Sequence, residues 1–396
     1  MEGADAKSCG GCTMKIVFLH HANVCRGGIE RMLISKANML AEQADIEEVI
    51  MLTYEQNGEP YPYPLSSKVK CVDLGVRLYA AYKLAFPLRF FWKLSLRRQL
   101  ANAIRDFLNV YHPDIVVCTD KDANELNALS RVRGAERIMI EAHTGMIDHW
   151  MQVRRTANFI RRIVSLYDMH RLQWAVSRFD ILVALTADDA ACWAPYIKTA
   201  VIPNYYSIIP PQPADLSKEK KRIISVGRLD YQKGQDLLLQ AWAKVESQYP
   251  DWHLDVYGDG KERNSLNTQL STLNLRNAII HSSISNIYNE YINSDFLVCS
   301  SRWESFGLVI IEAMACGIPV VSFDCDNGPR NIIADGEDGL LAKNGSVKDI
   351  ASKMIWMIEH PKERVKMAET ALHNVERFKE DSVFKLYLNL YKQLVK

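Results

Sequence analysis

Residues 300–321 read Ser-Ser-Arg-Trp-Glu-Ser-Phe-Gly-Leu-Val-Ile-Ile-Glu-Ala-Met-Ala-Cys-Gly-Ile-Pro-Val-Val. The apolar run from Asp295 to Ser300 leads into them and predicts a buried strand. A polar turn holding Glu304 follows. A helix is expected from Gly307 to Cys316, ended by Gly317 and Pro319. A second apolar strand, Ile318 to Phe323, comes next. Strand, loop, helix and strand in this order form a unit of a parallel sheet. The loop enters the helix at its electropositive end, where backbone amides favour phosphate. Glu304 lies just before that end and Glu312 about a turn and a half inside it. Alone, two carboxylates eight residues apart are more often solvated helix side chains. The residues around them decide otherwise.

Glu304 and Glu312 match the E-x7-E signature of the retaining GT-B glycosyltransferases, the glycosyl transferases group 1 of bacterial glycan and lipopolysaccharide type. The run from Glu304 to Val321 resembles that pattern closely. The resemblance extends from about Met14 to the C-terminus, and it is looser in the first half. It implies an α/β chain of GT-B type: two doubly wound parallel-sheet, Rossmann-like domains facing a cleft.

Working outward, Arg222 to Gly227 is a strand, and Gly227-Arg-Leu-Asp-Tyr-Gln-Lys-Gly234 follows it, before a helix over about 235–247. Two cations in a strand-to-helix loop can clamp a diphosphate and neutralise a leaving group. Arg228 and Lys233 in isolation would be surface charges, but their spacing matches the family's Arg and Lys pair. Strands are expected at Trp252 to Gly258 and Asn277 to His281. Gly258-Asp-Gly260 hints at a dinucleotide fingerprint, but Arg263 occupies the third glycine position, which rules it out. The segment Ser283 to Tyr288 would border a nucleotide base, with Ser283 a donor contact. Helices are expected over 347–359, 362–378 and 381–394.

The first half repeats the alternation. Lys15 to His20 is a strand, Gly27-Gly28 offers amides at close approach, and a helix runs from Ile29 to about Ala44. Strands follow at Glu48 to Thr53, Val69 to Leu74, Asp114 to Cys118, Arg137 to Glu141, Asp180 to Leu185 and Ala200 to Pro203. Ligands of such sheets bind beyond the carboxyl ends of the strands. His143 sits just past one of them. A lone histidine is usually structural, yet the family has a histidine here that faces the donor sugar. Asp120 and Lys121 are weaker candidates for acceptor contact. The Gly27-Gly28-Ile29-Glu30-Arg31 run resembles the family's glycine-rich loop, which approaches the donor diphosphate and the acceptor.

Composition bounds the rest. The 396 residues suffice for two domains, and 48 basic against 47 acidic residues give no sign of a nucleic-acid partner. Nine scattered cysteines are expected as reduced thiols, and Cys9-Gly-Gly-Cys12 lacks the partners of a zinc site. No apolar run reaches membrane-spanning length. The expected division is a disordered leader over 1–13, with Met14 as an alternative start. An acceptor-binding domain covers 14–205, a linker 206–220 and a nucleotide-sugar-binding domain 221–378. A last helix over 379–396 crosses back to the first domain, with Phe384, Leu386, Tyr387, Leu390 and Leu394 as its apolar face. Residues 77–105 hold seven basic side chains, no acid and many aromatics, which suits either core packing or an anionic membrane surface. A second basic segment spans 154–171. A cytoplasmic protein, peripheral on the inner face of the cytoplasmic membrane, is expected.

The resemblance implies transfer, with retention, of a sugar from a UDP- or GDP-sugar to an acceptor hydroxyl on a glycan or lipid-linked acceptor. Arg228, Lys233 and the amides at Phe306, Gly307 and Leu308 would stabilise the departing diphosphate. Glu312 would hold ribose hydroxyls, Glu304 hydroxyls of the donor sugar, and His143 would orient that sugar. Catalysis would rest on His143, Glu304, Arg228 and Lys233, with Gly27 and Gly28 near the donor. No cofactor and no metal are expected, and Asp120-Lys-Asp122 and Asp324-Cys-Asp326 are read as chance triplets. The rival readings are a sugar-nucleotide epimerase of the same fold and a non-catalytic sugar-nucleotide-binding subunit of a glycan-assembly complex.

Overall fold

The computed structural model describes residues 13–24, 27–78, 88–155, 159–206 and 212–396. Cys9, Cys12 and residues 1–12 of the expected leader therefore fall outside the described residues, as do 79–87 of the basic segment.

The first domain is a seven-stranded sheet in the order β3-β2-β1-β4-β5-β6-β7, every pair parallel. Its elements run β1 (Met14–His20), α1 (Gly28–Leu40), β2 (Ile46–Thr53), β3 (Val69–Asp73), α2 (Leu88–Tyr111), β4 (Ile115–Thr119) and α3 (Ala123–Val132). They continue with β5 (Arg137–Ala142), α4 (Met146–Arg155), α5 (Phe159–Val176), β6 (Ile181–Ala184), α6 (Ala187–Trp193) and β7 (Thr199–Val201). The central strands are apolar at nearly every position because helices cover both faces.

The second domain has six parallel strands in the order β10-β9-β8-β11-β12-β13. It comprises β8 (Arg222–Val226), α7 (Gln235–Glu246), β9 (His253–Tyr257), α8 (Arg263–Thr272), β10 (Ala278–His281), α9 (Tyr288–Ile292) and β11 (Phe296–Cys299). Then come α10 (Leu308–Ala315), β12 (Val320–Asp324), α11 (Gly328–Ile332), β13 (Gly339–Lys343), α12 (Val347–Glu359), α13 (Pro361–Asn374) and α14 (Glu380–Val395). In each sheet the strand order reverses at one place, between β1 and β4 and between β8 and β11. That reversal opens a crevice at the carboxyl ends, the place where such sheets take ligands.

Some expectations need correcting. Helix α1 stops at Leu40, not near Ala44, and α10 starts at Leu308 with Gly307 as its N-cap. The strand expected over 318–323 is displaced to Val320–Asp324, because Gly317 and Ile318 complete the turn out of α10 through amides bonded to Met314 and Ala313. Strand β13 was not anticipated. It pairs along all of β12 as an edge strand, and its Gly-Leu-Leu-Ala-Lys run is too short to announce itself by period. In α14 the face packed on the first domain is Val383, Phe384, Tyr387 and Tyr391, clustered with β1 residues Ile16 and Phe18. Leu386, expected on that face, is 46% exposed. Glu380 accepts from Ser35 Oγ at 2.6 Å, and Lys392 pairs with Asp45 at 2.6 Å. Residues 212–220, read as linker, lie against the second domain: Ala214 N donates to Cys316 O at 2.7 Å and Leu216 is buried in that core.

Candidate active site

Two strand-to-helix loops meet at the reversal of the second sheet. The loop after β8 carries Arg228 and Lys233; the loop after β11 carries Glu304. Several bonds stitch them together. Arg302 N donates to Gln232 O at 2.8 Å, Gln232 Nε2 to Trp303 O at 3.2 Å and Ser300 Oγ to Lys233 O at 3.0 Å. Arg302 forks onto Asp236 at 2.8 and 2.6 Å. Gly234 is in the left-handed region at φ +64, and a Cβ there would lie 2.1 Å from Ser300 O. Only glycine permits that approach.

The stitching brings Lys233 Nζ onto the Glu304 carboxylate, which also accepts from Ser301 Oγ at 2.7 Å. Burial works to lower the Lys233 pKa, but the Glu304 charge outweighs it and holds the ammonium above its usual value. Arg228 stays exposed at the mouth, bonded to Gln232 at 2.9 Å and Asp230 at 3.2 Å. Glu304 is fixed from behind as well, since Gly328 N donates to its carbonyl at 3.2 Å.

Gly307 (φ +103) turns the chain into α10, whose first-turn amides face the cleft by the geometry of any helix start. The Phe306 ring does not join them: it is buried against Phe378, 5.6 Å away. One and a half turns on, Glu312 accepts from Tyr291 OH at 3.4 Å and from Arg31 Nη2 at 2.6 Å. Arg31 belongs to α1 of the other domain. Burial opposes its charge, but Glu312 keeps the guanidinium firmly protonated. The starts of α1 and α10 thus face each other, and a Cβ on Gly28 would come 3.1 Å from Leu308 Cδ1. Gly27 is the N-cap of α1.

His143 is buried past the end of β5, with Nε2 2.9 Å from Glu141 Oε2. Glu141 also binds buried Lys36. Burial alone would raise the Glu141 carboxyl, yet Lys36 and His143 hold it down to about 2. The turn after His143 is clamped by Asp120, which accepts from the amides of Thr144 and Gly145, both at 2.9 Å. Ser305 reaches this turn from across the cleft, donating to Thr144 O and to Asp148 Oδ2, the latter at 2.8 Å. His143 therefore sits on the turn that touches the Glu304 loop. Ser283 follows β10, the outer strand of the sheet, and is exposed, its amide bonded to Asp259 at 2.9 Å; no contact links it to the Lys233–Glu304 pair among the described residues.

Arg31, Ser305 and Asp148 were not singled out by sequence. Their role is visible only across the cleft, although Arg31 stands in the glycine-rich run. Asp148 is pushed up to about 7 by burial, with Glu304 and Asp120 adding to it and Ser305 opposing. Lys121 binds Glu30 at 3.2 Å, so it is engaged within the first domain. Both Asp-x-Asp triplets have other partners: Asp122 caps α3 and accepts from Tyr54 at 2.7 Å, and Asp324 accepts from Arg330 at 2.8 Å. Among the described residues no group of three or more His, Cys, Asp or Glu is placed to hold a metal. Arg263 in the abandoned fingerprint ties β9 to β10, donating to Gly258 O at 2.5 Å and His281 O at 2.9 Å.

Residues 211–373 match the family model described as glycosyl transferases group 1. The chain is similar to an uncharacterized glycosyltransferase of Haemophilus influenzae, 27% identical over 87% of this chain and 90% of that one. It is 31% identical, over 38% of its length and 40% of the relative's, to a Campylobacter jejuni N-acetylgalactosamine-N,N'-diacetylbacillosaminyl-diphospho-undecaprenol 4-alpha-N-acetylgalactosaminyltransferase. Its fold is that of Anabaena HepE, solved with UDP and glucose, at TM-score 0.71 and 19% identity over 96% of this chain and 99% of that one.

Proposed function

The chain is a glycosyltransferase with a group 1 domain, and from that premise we propose that it moves a sugar, with retention, from a nucleoside diphosphate sugar to an acceptor hydroxyl. The acceptor is a glycan built on a lipid-linked carrier in bacterial surface glycan assembly. The Campylobacter relative, whose name carries an undecaprenyl diphosphate acceptor, supports that class.

One observation carries this reading. Lys233 and Glu304, 71 residues apart, are joined at the strand-order reversal of the second sheet, in front of the α10 N-terminus. Diphosphate placed there meets Lys233, Arg228 and the first-turn amides of α10. These groups offset the charge that develops on the leaving group. Glu312 lies deeper along α10, at the depth of a ribose adjoining the phosphates, and Glu304 lies before the helix, on the sugar side. His143, anchored by Glu141, faces the transferred sugar from the first domain. The leaving diphosphate takes the acceptor proton. With cations in place at the phosphates, turnover requires no divalent metal.

The test is a transfer assay with radiolabelled UDP- and GDP-sugars on a lipid-linked glycan, with and without excess chelator. Labelled product formed in chelator is expected. Donor hydrolysed or epimerised with no product would contradict the transfer reading. Loss of turnover restored by magnesium or manganese would contradict the metal-free one. A thermal-shift screen against the same donors identifies the sugar, since bound ligand raises the midpoint by mass action.

A further inference from the structure

The helices of the first domain carry a basic groove bordered by an exposed apolar stripe. Arg97, Arg98, Arg105, Arg131, Arg133 and Arg171, from α2, α3 and α5 and the end of α3, line a groove of about 570 Å3 with no Asp or Glu among the described residues of its lining. Three of the six have side-chain partners: Arg97 donates to Asn124, itself in the lining, at 2.9 Å, Arg133 to Asp180 at 3.0 Å, and Arg171 to Asp168 at 3.4 Å. Arg98, Arg105 and Arg131 are exposed, and among the described residues none of them has a carboxylate partner.

Beside the groove, α5 turns an apolar stripe outward. Phe159 is 76% exposed, Ile163 51%, Tyr167 62% and Trp174 47%. These residues share one side of a helix by their spacing. The opposite side of α5, with Met169, Leu172 and Val176, is packed in the core. Tyr167 also lines the groove, so stripe and groove are continuous. Helix α2 behaves differently from its composition: Leu96, Leu100, Ile104 and Phe107 enter the core, which leaves its arginine face and exposed Trp92 for the surface.

Single exposed apolar side chains are ordinary; a stripe of four along one helix, bordered by arginines, is not. A second copy of this chain would set one arginine groove near another, and like charges disfavour that. An anionic lipid surface complements both parts at once. We propose that this face docks on a membrane, with the α5 stripe in the interface and a lipid headgroup phosphate in the arginine groove. The proposal deepens the lipid-linked acceptor of the function above and rests on that reading for its purpose, not on the transfer chemistry.

The experiment is flotation of the full chain with vesicles of equal parts phosphatidylglycerol and phosphatidylcholine, against phosphatidylcholine alone. The parent is expected to float with the anionic vesicles only, and less at high salt. A triple variant, Arg98→Gln with Arg105→Gln and Arg131→Gln, should partition about a hundredfold more weakly, since each basic side chain near an anionic surface contributes about fivefold. Phe159→Ser with Ile163→Ser should also weaken flotation, and an unchanged thermal midpoint certifies both variants as folded. Triple-variant flotation equal to the parent's, or parent flotation on neutral vesicles, would overturn the proposal. Millimolar pyrophosphate at constant ionic strength competes for the same arginines and is expected to weaken parent flotation; flotation that pyrophosphate leaves unchanged would also overturn the headgroup site. So would a parent dimer that Phe159→Ser with Ile163→Ser abolishes. Transfer to a water-soluble acceptor by the triple variant is expected at the parent rate. If the parent itself transfers nothing, the proposed function fails while the flotation result stands.

Discussion

The reversal points of the two sheets are furnished in opposite ways. Between β8 and β11, the buried carboxylates have cationic partners: Glu304 has Lys233 and Glu312 has Arg31. Between β1 and β4, buried polar groups stand without partners among the described residues. Both ring nitrogens of His20 do so, as do the side-chain amide of Asn23, Thr119 Oγ1 and Glu125 Oε1. Burial, helped by Lys121, pushes the His20 pKa down to about 3, so its ring is neutral. A buried polar group without a partner costs about 1–3 kcal/mol, and native folds keep few of them. At the diphosphate end both buried carboxylates are matched by cations, Glu304 from within the second domain and Glu312 across the cleft from Arg31. The first domain leaves hydrogen-bonding capacity open, which under the proposed function is the acceptor's side.

The largest effect that would break this contrast comes from Lys233→Met. Losing a charge-assisted contact costs roughly 1.5–3 kcal/mol, so nucleoside diphosphate affinity should fall from about tenfold to more than a hundredfold. The single variant also leaves Glu304 buried without its cation, so its thermal midpoint should drop. Adding Glu304→Gln should recover the midpoint but not the affinity. Calorimetric titration and a melting curve on the same samples read both. Full recovery of affinity in the double variant would mean that Lys233 serves only the fold.

Asp148 tests where the two halves touch. Its carboxyl is held up to about 7, chiefly by burial, so the folded chain keeps a proton that the unfolded chain has lost. The associated stability is fully present below the ordinary aspartate range and declines as pH rises to about 7. Asp148→Asn keeps an acceptor for Ser305 and removes that decline. It should melt a few degrees higher than the parent at pH 8 and at the same temperature at pH 4. Equal gains at both pH values would point to packing instead.

The smallest effect is expected at His20. Replacing an unpartnered buried ring with an apolar side chain of similar volume removes an unmet hydrogen-bonding demand and is offset by the change of shape, so the stability of His20→Leu should lie within about 1 kcal/mol of the parent. Nucleotide affinity should not change, while the acceptor KM rises. A weakened nucleotide affinity would erase the distinction between the halves.

The same contrast governed what the sequence revealed. Glu304, Arg228 and Lys233 sit in strand-to-helix loops and Glu312 in the helix that follows one of them, so each pair could be read from a local run of strand, glycine, charge and helix. Arg31 and Glu312 are 281 residues apart, and Ser305 and Asp148 are 157 apart. No periodicity encodes such pairs; they exist only once both domains are in place. The doubly wound sheets were legible because buried parallel strands are apolar throughout. Edge strand β13 and the displaced start of β12 were not, since turn closure at Gly317 overrode an unbroken apolar run. Nor could composition tell which side of α5 faces out, because an apolar stripe has the same spacing whether it meets a core or a membrane.

The division of labour between the two glutamates is the centre of this account. Glu304→Gln and Glu312→Gln each keep side-chain shape and remove one charge. Bare nucleoside diphosphate affinity and sugar transfer rate are measured for both, with UDP and GDP as probes. Glu312→Gln should weaken the bare nucleotide about tenfold, because a ribose contact is lost. Glu304→Gln should leave bare-nucleotide affinity at the parent value and slow transfer about a hundredfold or more, because its contact strengthens as charge develops on the sugar. If Glu304→Gln weakens the bare nucleotide as much as Glu312→Gln does, or transfers sugar at the parent rate, the assignment of sugar to Glu304 and ribose to Glu312 is wrong.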